Sequence, residues 1–465
     1  MKNIERKLQS EMKRDGLLSL IAASACEHGV DLYLVGGFIR DTILKTRTND
    51  VDFIVIGRKS GFYKALEERT GHRVITFRKK GIVNRRIIVD RRTFDFVDAT
   101  KKGLLQELSR RDFTINSIAF SVCDKILIDT QGGMIDLKKK IIRRNKRSVF
   151  RSDPLRMIRA VRLACEKDGF TIDEETYHQI KSSPEIISRV SGERIKEELD
   201  RIMESSRASK GFHLLCESGL LRTVVPELMP LKDVPQGERH YLDAWKHTLK
   251  TLSYTDDLRS LCSRLKLRYP KERDAILLLK YAALFHDIAK PQTFSKDEKG
   301  NIHFFHHEKL SAVVASRIMK RLKFPIKFSG DVKRIIELHL RPHLLAEASP
   351  SDKALMRLIA ESRELTELLA LLSLADALAT AKLPAAFTVT RLRKLLGRVI
   401  KIYRSKGTAI AQPEKLISGD DVMKILGLTE GPDVGKILRK IHDLQITGDI
   451  ATRQQALLFL SSLSK

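Results

Sequence analysis

A pair of glycines followed closely by a pair of aspartates is the feature that most constrains this chain. Residues 32–52 read LYLVGGFIRDTILKTRTNDVD, so a short apolar run ends at Gly36 and Gly37. Two residues without a Cβ atom let the main chain approach a bound group closely. A helix that starts near Phe38 would point its free N–H groups at this turn, which suits a phosphate group.

The two aspartates that follow, Asp50 and Asp52, lie directly before the apolar run Phe53 to Ile56, which predicts a strand. Residues two apart on a strand face the same side, so both carboxylates can converge on divalent metal. Oxygen ligands beside a phosphate-binding turn favour Mg²⁺-dependent nucleotidyl transfer, with both aspartates as metal-binding catalytic residues. On these residues alone, an ordinary turn followed by a solvated loop end stays open.

The charge balance indicates a polyanionic partner. The 465 residues include 86 Lys and Arg against 58 Asp and Glu, a net charge of +28. Such an excess favours nucleic acid, although a merely basic surface would have the same composition. The length predicts two to four domains.

Several signals predict a cytoplasmic protein that does not enter a membrane. No apolar run reaches the eighteen residues that a membrane span needs. The charged N-terminus resembles neither a signal nor a transit peptide. The cysteines are odd in number and form no CxxC pair, which predicts buried thiols in a reducing compartment. They are Cys26, Cys123, Cys165, Cys216 and Cys262.

The pattern changes along the chain from mixed to helical. Up to about residue 140, β-branched runs alternate with helical segments, and after residue 150 helical periodicity dominates. The predicted fold class is α+β, a small mixed-sheet head followed by an all-α neck, body and tail. The predicted domains are a head (1–145), a nucleotide-selecting and RNA-binding neck and body (146–235), a metal-binding tail (236–400) and a C-terminal helical module (401–465).

A second motif, RRDFTINS at residues 110–117, adds phosphate-binding candidates. Arg110 and Arg111 suit phosphate because guanidinium groups bind its oxygens in a fork. Asp112 and Asn116 lie four apart and are predicted to order the site by hydrogen bonds. Arg40, just after the glycine pair, joins the predicted nucleotide-binding set.

A third carboxylate is expected in the alternating run TFDFV at residues 93–97. Asp95 is the preferred candidate. Asp98 is the competitor, but an offset of three residues on a strand places it on the opposite face.

A third motif, SDPLRMIRAVRLA at residues 152–164, predicts a helix that Asp153 caps and Pro154 begins. Asp153 and Arg156 lie one turn apart. A carboxylate that accepts from an exocyclic amino group, with a guanidinium that donates to the ring nitrogen, would select cytosine and adenine. Arg159 and Arg162 continue the basic row, which on its own also fits a solvated helix face.

Together with GERIKEELDRIM at 192–203, these motifs resemble the class II tRNA nucleotidyltransferases (CCA-adding enzymes) and the related bacterial poly(A) polymerases. The resemblance covers roughly residues 30–230. It implies two Mg²⁺ ions on Asp50 and Asp52, CTP and ATP as substrates, tRNA along the basic helical part, and release of pyrophosphate. It also implies that Arg111 contacts the nucleotide and that Asp153 and Arg156 pair with its base. Three residues of the 192–203 segment would brace the helix that carries this pair: Glu193, Arg194 and Glu198.

Two departures from that family keep alternatives open. Ser152 stands where the family's neck motif usually has Glu. Only fourteen residues separate Asp95 from Arg110, an interval that in the family holds a flexible loop thought to switch from C to A addition. A short loop is typical of enzymes that add only two C residues and leave the A to a second nucleotidyltransferase. A-only or poly(A) addition also stays open, because RRDFTINS ends in Ser.

A second metal site is predicted in the tail, where histidines and aspartates recur on helices. The order His…His-Asp…Asp resembles the HD-domain phosphohydrolases, which implies a divalent metal and hydrolysis of phosphate esters at RNA 3′ ends. The predicted ligands are His247, His286, Asp287, His307, His339 and Asp376. His306 is predicted to be a spacer. An HD phosphohydrolase with a purely RNA-binding head is the rival class, and the sequence leaves the metal and the oligomeric state open.

Overall fold

The structure is a computed structural model that describes residues 2–46, 48–57, 59, 61–79, 82–90, 92–100, 103–237, 242–380, 386–411 and 413–463. The chain divides into two compact units, Met1–Val190 and Ser191–Lys465. Each unit contains one of the two predicted sites.

The first unit combines short strands with helices. In chain order its elements are α1 (Lys2–Arg14), α2 (Gly16–Glu27), β1 (Asp31–Val35), α3 (Gly37–Ile43), β2 (Asp50–Ile56), α4 (Phe62–Thr70), β3 (Ile75–Lys79), β4 (Ile82–Val89), β5 (Arg92–Ala99), α5 (Gly103–Arg110), β6 (Ala119–Ser121), β7 (Leu127–Ile128), α6 (Gly133–Lys139), β8 (Ile141–Ile142), α7 (Val149–Ser152), α8 (Leu155–Glu166), β9 (Thr171–Ile172) and α9 (Glu174–Ser182). A 3₁₀ turn at Thr114–Asn116 lies between α5 and β6.

Seven of the described strands form one mixed sheet in the order β3-β4-β5-β2-β1-β6-β7. Strands β2 and β5 are parallel, and Asp52 lies opposite Asp95 in their register. On the other face, the rings of Phe53 and Phe96 stack with centroids 5.1 Å apart in the buried core. Because side chains alternate along a strand, this apolar core fixes which face carries the aspartates.

The described residues of the second unit form helices apart from one small hairpin and the connecting turns. Its elements are α10 (Gly192–Glu204), α11 (Ala208–Glu217), α12 (Leu220–Val224), α13 (Ala244–Asp256), α14 (Leu258–Arg264), α15 (Arg273–Phe285), β10 (Phe294–Lys296), β11 (Ile302–Phe304), α16 (His307–Arg321), α17 (Ile326–Leu338), α18 (Arg341–Ala348), α19 (Asp352–Ser362), α20 (Thr366–Thr380), α21 (Ala386–Ala411), α22 (Gly419–Leu426), α23 (Pro432–Ile446) and α24 (Arg453–Leu463). Helices α22 to α24 pack around a separate apolar core that includes Val422 and Leu460.

The predicted fold class is confirmed: a small mixed sheet at the N-terminal end is followed by helices. The strands missed after residue 140 are short: β8 pairs with β9, and β10 pairs with β11. Strands of two or three residues are too short for a periodic signal. Among the described helices, none is long and apolar enough to cross a bilayer.

The prediction that all five cysteines are thiols is wrong for two of them. Cys26 and Cys123 form a disulfide with their Cα atoms 5.8 Å apart. The sequence separation of 97 between them gave no local signal of the contact, which arises because β1 and β6 are paired neighbours. Cys165, Cys216 and Cys262 are buried thiols outside any disulfide, as predicted.

Candidate active sites

Three carboxylates lie on one face of the first unit's sheet. Asp50 and Asp52 lie two apart at the start of β2, and Asp95 lies opposite Asp52 on β5. Paired residues of neighbouring strands share a face, so all three side chains project to the same side. Oxygen ligands in this number and order suit a hard divalent cation.

The glycine turn lies against Asp52. Gly36 has a φ of 79°, a conformation that side chains disfavour. A Cβ atom there would lie 2.5 Å from Nη1 of Arg111 and 2.7 Å from Oδ2 of Asp52. Arg111 itself donates from Nη1 to Oδ2 of Asp52 at 3.3 Å. Gly36 is therefore required where main chain, arginine and carboxylate crowd together, and Gly37 begins α3 beside it.

Arg86 on β4 binds Asp95, a contact that sequence reasoning missed. Its Nε and Nη2 atoms donate to the two carboxylate oxygens at 2.6 Å and 2.8 Å. The bond to Asp95 raises the pKa of Arg86, and the charges of Asp50 and Asp52 add to the effect. Residues 85–89, RRIIV, are one of the β-branched runs that favour a strand, but the partner of Arg86 depends on hairpin register, which this run does not contain.

Asp98 lies on the opposite face, as its offset of three predicted. The Tyr63 hydroxyl donates to its Oδ1 at 2.6 Å, and Arg85 binds its Oδ2. Its partners give it a structural role in the sheet, separate from the carboxylate cluster.

Behind the cluster, a chain of buried polar side chains joins α3 to the RRDFTINS segment. Arg40 donates to both oxygens of Asp41 at 2.9 Å and 2.8 Å and to Oδ1 of Asn116 at 2.6 Å. The amide of Asn116 donates to Oδ1 of Asp112 at 2.9 Å, as their spacing predicted. Arg40 is therefore buried among protein partners. The exposed Arg110 pairs with Glu107 at 2.8 Å, so it too contacts protein rather than Asp52.

The buried Asp112 is held ionised. Burial alone would raise its pKa, but Arg159, the Asn116 amide and the Phe113 main-chain N–H outweigh it and lower the pKa to about 2. The Nη1 atom of Arg159 lies 3.2 Å from Oδ2 of Asp112. The carboxylate thus ties the 3₁₀ turn to α8.

We expect Asp112→Asn to destabilise the first unit and to change its pH dependence. A carboxyl whose pKa falls on folding stabilises above its unfolded pKa of about 3.9 and loses that contribution as pH falls toward 2. The shift corresponds to about 2 to 3 kcal/mol at neutral pH. Urea unfolding followed by circular dichroism from pH 7 to 2 should show a lower midpoint and a flatter decline below pH 4. The exposed Asp90→Asn is the control; equal profiles for both variants would contradict the assignment.

Helix α8 begins one residue later than predicted, with Pro154 at the N-cap position and Asp153 just before it. The Asp153 carbonyl oxygen accepts from the Arg156 amide at 3.2 Å. Burial lowers the pKa of Arg156, as do the charges of Arg159 and Arg111, whereas Asp112 and Asp153 oppose the change. Arg156 therefore lies within reach of the charges of Asp112 and of Arg111, the residue that contacts Asp52.

Arg162 is buried, and its Nη1 atom lies 2.7 Å from Oε2 of Glu166 on the same helix. A step of three residues corresponds to 300° of rotation about the helix axis. Arg156, Arg159 and Arg162 therefore point in progressively different directions and do not form one straight row. Glu193, Arg194 and Glu198 lie on α10, at the start of the second unit.

In the second unit, all six predicted ligands are buried and come together. His247 Nε2 lies 3.0 Å from Oδ1 of Asp376 and 3.4 Å from Nε2 of His286. Asp287 contacts histidines on both sides: its Oδ2 lies 3.1 Å from His286 Nε2, and its Oδ1 lies 3.2 Å from His307 Nε2. Two groups with metal-binding geometry result, and Asp287 belongs to both: His247, His286 and Asp287, and Asp287, His307 and His339.

Three of these histidines are oriented by main-chain carbonyl groups. The Nδ1 atoms of His286, His307 and His339 lie 2.9, 2.8 and 2.7 Å from the carbonyl oxygens of Ala283, Phe304 and Ile336. A carbonyl accepts only, so each Nδ1 carries the proton and each Nε2 presents a lone pair. Among the described residues, Nε2 of His307 and of His339 are buried without a hydrogen bond. These free acceptors fit a metal ion.

The carboxylates of this cluster stay ionised despite their burial. Burial would raise the pKa of Asp287, but His286 and Lys290 outweigh it and hold the pKa well below its usual range. His247 and His343 do the same for Asp376. Imidazole nitrogens together with two carboxylates suit a divalent transition metal or Mg²⁺, whose binding would hold the imidazoles in their neutral form.

Two residues of this cluster were missed. Lys290 Nζ lies 2.7 Å from Oδ2 of Asp287, three residues before it. His343 Nε2 lies 3.1 Å from Oδ2 of Asp376, and its spacing of four from His339 was the available signal. His306, the predicted spacer, is exposed.

Comparisons with known proteins agree with this arrangement. The poly(A) polymerase head domain model matches residues 32–143, the model for the probable RNA- and SrmB-binding site of polymerase A matches 169–232, and the HD domain model matches 245–381. The A-adding tRNA nucleotidyltransferase of Deinococcus radiodurans is 32% identical, over 92% of this chain and 94% of its own. The CC-adding enzyme of Thermus thermophilus is 31% identical, over 92% and 93%. The structure of the Thermotoga maritima CCA-adding enzyme with tRNA has the same fold, with a TM-score of 0.59 at 18% identity over 97% and 96% of the chains.

Fold and sites together define a nucleotidyltransferase head domain that precedes a predicted RNA-binding region and an HD domain. Sequence identity along nearly the whole chain narrows the class further. This chain belongs to the tRNA nucleotidyltransferase family.

Proposed function

We propose that this chain adds C and A residues to the 3′ end of tRNA without a template, taking CTP and ATP and releasing pyrophosphate. The observation that carries the proposal is the register of β2 and β5, in which Asp52 and Asp95 lie side by side next to Gly36 and Arg111. The relatives' names, A-adding and CC-adding, support these substrates.

In this proposal Asp50, Asp52 and Asp95 hold two Mg²⁺ ions. Bound there, the ions would neutralise phosphate charge and favour deprotonation of the RNA 3′-hydroxyl. The 3′ oxygen attacks the nucleotide α-phosphate, the bond to pyrophosphate breaks in line, and a neighbouring carboxylate or water takes the proton. Gly36 and Gly37 let the main chain approach the triphosphate, and Arg111 moves from Asp52 to its oxygens.

Base selection is assigned to Asp153 and Arg156. The carboxylate accepts from the exocyclic amino group of cytosine or adenine, and the guanidinium donates to the adjacent ring nitrogen. Arg159 keeps α8 in place through Asp112. Of the other predicted nucleotide-binding residues, Arg40, Asn116 and Arg162 act through protein partners that order the site.

Addition of C residues alone is a second candidate, because β5 ends at Ala99 and α5 begins at Gly103. This short connection leaves little room for the flexible loop that the family resemblance associates with A addition. A second nucleotidyltransferase would then complete the CCA end. The T. thermophilus relative's name, CC-adding, favours this alternative.

One tRNA prepared in three forms, ending before CCA, after C and after CC, separates these candidates. Each form is incubated with Mg²⁺, CTP and ATP, and the 3′ ends are sequenced. Extension of every form to CCA supports full addition. Extension that stops at CC supports the second candidate. Addition of A to the CC form alone contradicts both candidates and indicates an A-adding enzyme, and absence of extension also contradicts both.

We further propose that the HD cluster binds a divalent metal and hydrolyses phosphate esters at RNA 3′ ends. His247, His286, Asp287 and Asp376 would hold the ion, and His307 and His339 would bind a second ion or the phosphate. A bound ion would polarise the phosphate and supply a nucleophilic water. Lys290 holds Asp287 in place through its ion pair.

The remaining assignments follow from charge and composition. We propose that tRNA lies along the basic helical part, since the net charge is +28. We also propose domain boundaries near residues 145, 235 and 400, and a cytoplasmic location.

A further inference from the structure

The sheet face that carries the carboxylates continues into the β3–β4 hairpin. Arg86 lies opposite Asp95 in the register of β4 and β5, and Ile75 lies opposite Arg86 in that of β3 and β4. Residues that face one another across strands share a side of the sheet. The hairpin therefore extends the face of Asp52 and Asp95 outward to the edge strand.

This outer part of the face is apolar and exposed. Ile75, Phe77 and Ile88 are 47%, 36% and 50% exposed, and all three lie on the same side as Arg86. The Arg86 guanidinium carbon lies 5.6 Å from the centroid of the Phe77 ring. An exposed aromatic ring beside an arginine is a surface on which a nucleic-acid base can stack. Such a patch beside an active site indicates a binding surface.

The charge of the hairpin fits a polyanion. Residues 73–92 contain eight Lys and Arg residues and one acidic residue, Asp90. A basic strand pair with an exposed aromatic ring favours single-stranded nucleic acid over an apolar protein partner.

Sheet order distinguishes the sides of the carboxylate cluster. Strand β2 lies between β1 and β5. On the β1 side lie the Gly36 turn and Arg111, which the proposed function gives to the nucleoside triphosphate. On the β5 side lie Asp95, Arg86 and the exposed hairpin face. The RNA strand would therefore approach the carboxylates from the β5 side.

We propose that the exposed hairpin face binds the 3′-terminal nucleotides of the acceptor RNA, an inference that rests on the proposed function. A terminal base stacks on Phe77, while Arg86 exchanges Asp95 for an RNA phosphate. Arg86 holds both oxygens of Asp95, so its transfer to RNA frees that carboxylate when the acceptor arrives. Arg86 is thus a positioning residue whose release couples RNA binding to completion of the catalytic site.

Phe77→Ala tests the stacking surface by comparing the KM for tRNA with the KM for CTP. Loss of one stacked base corresponds to a factor of roughly 5 to 150, so we expect the KM for tRNA to rise about tenfold with that for CTP unchanged. The matched control is Tyr269→Ala, because Tyr269 is an exposed ring with the Arg259 guanidinium carbon also 5.6 Å from its centroid. The control is expected to leave both values unchanged.

Arg86→Ala tests the phosphate contact through salt dependence. Loss of one contact to single-stranded RNA should reduce the slope of log KM for tRNA against log salt concentration by roughly 0.7. A purely structural arginine would leave that slope unchanged, and an unchanged slope would overturn this role. Arg259→Ala is the control.

Photocrosslinking locates the RNA end independently of catalysis. A tRNA that carries 5-iodocytidine at its 3′ terminus is bound without CTP or ATP and irradiated, and the modified peptide is identified by mass spectrometry. We expect attachment within the hairpin at Phe77. Attachment only elsewhere, or an unchanged KM for tRNA in Phe77→Ala, would overturn the surface. Failure of the wild-type chain to extend any tRNA would instead overturn the proposed function.

Discussion

Asp52→Asn is expected to lower the rate of nucleotide addition by roughly a thousandfold or more. Asp52 contacts Arg111, lies beside the Gly36 turn and faces Asp95 across the sheet, so it stands at the centre of the proposed metal site. Removing one anionic ligand weakens metal binding, and about 4 kcal/mol of lost transition-state stabilisation corresponds to a thousandfold. The measurement is incorporation of labelled CTP into a tRNA that lacks its CCA end.

Asp98→Asn is the matched control, since it makes the same chemical change on the other face of the same sheet. Tyr63 and Arg85 bind Asp98, so this variant is assayed below its measured melting temperature. It should retain CTP incorporation, whereas Asp95→Asn should behave like Asp52→Asn. Full RNA extension by Asp52→Asn would refute the assignment and favour the rival class, a phosphohydrolase with an RNA-binding head.

His286→Ala is expected to abolish phosphohydrolysis and spare nucleotide addition. Its Nε2 atom lies 3.1 Å from Oδ2 of Asp287 and 3.4 Å from Nε2 of His247, so its removal opens the first of the two ligand groups. An ion held by only three or four ligands binds much more weakly when one ligand is removed. The purified variant should therefore contain no more metal than a blank sample. Metal content is measured by mass spectrometry of the purified protein, and hydrolysis with an RNA that ends in a 2′,3′-cyclic phosphate.

His306→Ala controls for the loss of a histidine, because His306 is exposed and adjoins the buried His307. It should retain metal and hydrolysis. Asp287→Asn should remove both ligand groups, since Asp287 belongs to each. If His286→Ala lost nucleotide addition as well, with an unchanged melting temperature, the independence of the two activities would be refuted.

Local patterns were sufficient to predict the carboxylate cluster. A two-residue period placed Asp50 and Asp52 together, and an offset of three separated Asp98 from Asp95. These predictions depend only on alternation along a strand. Likewise, the spacing of Asp112 and Asn116 predicted their hydrogen bond.

Contacts that depend on which elements pair in the tertiary structure could not be predicted from local sequence patterns. The bond from Arg86 to Asp95 depends on hairpin register. The burial of Arg40 and Arg162 depends on which face of each helix packs against the core. The Cys26–Cys123 disulfide joins residues brought close only by sheet order. In the second unit, the order of histidines and aspartates indicated which residues cluster, while the positions of Lys290 and His343 beside them depend on helix packing.

The main-chain acceptors behind His286, His307 and His339 bear on the affinity of the HD cluster for a cation. Each carbonyl oxygen belongs to the residue three positions earlier in the chain. Folding of these segments therefore fixes both ring orientation and tautomer before any ion arrives. The ligands that an entering cation meets need little reorganisation. The conformational entropy lost in ordering the rings is therefore part of folding and does not weaken cation binding.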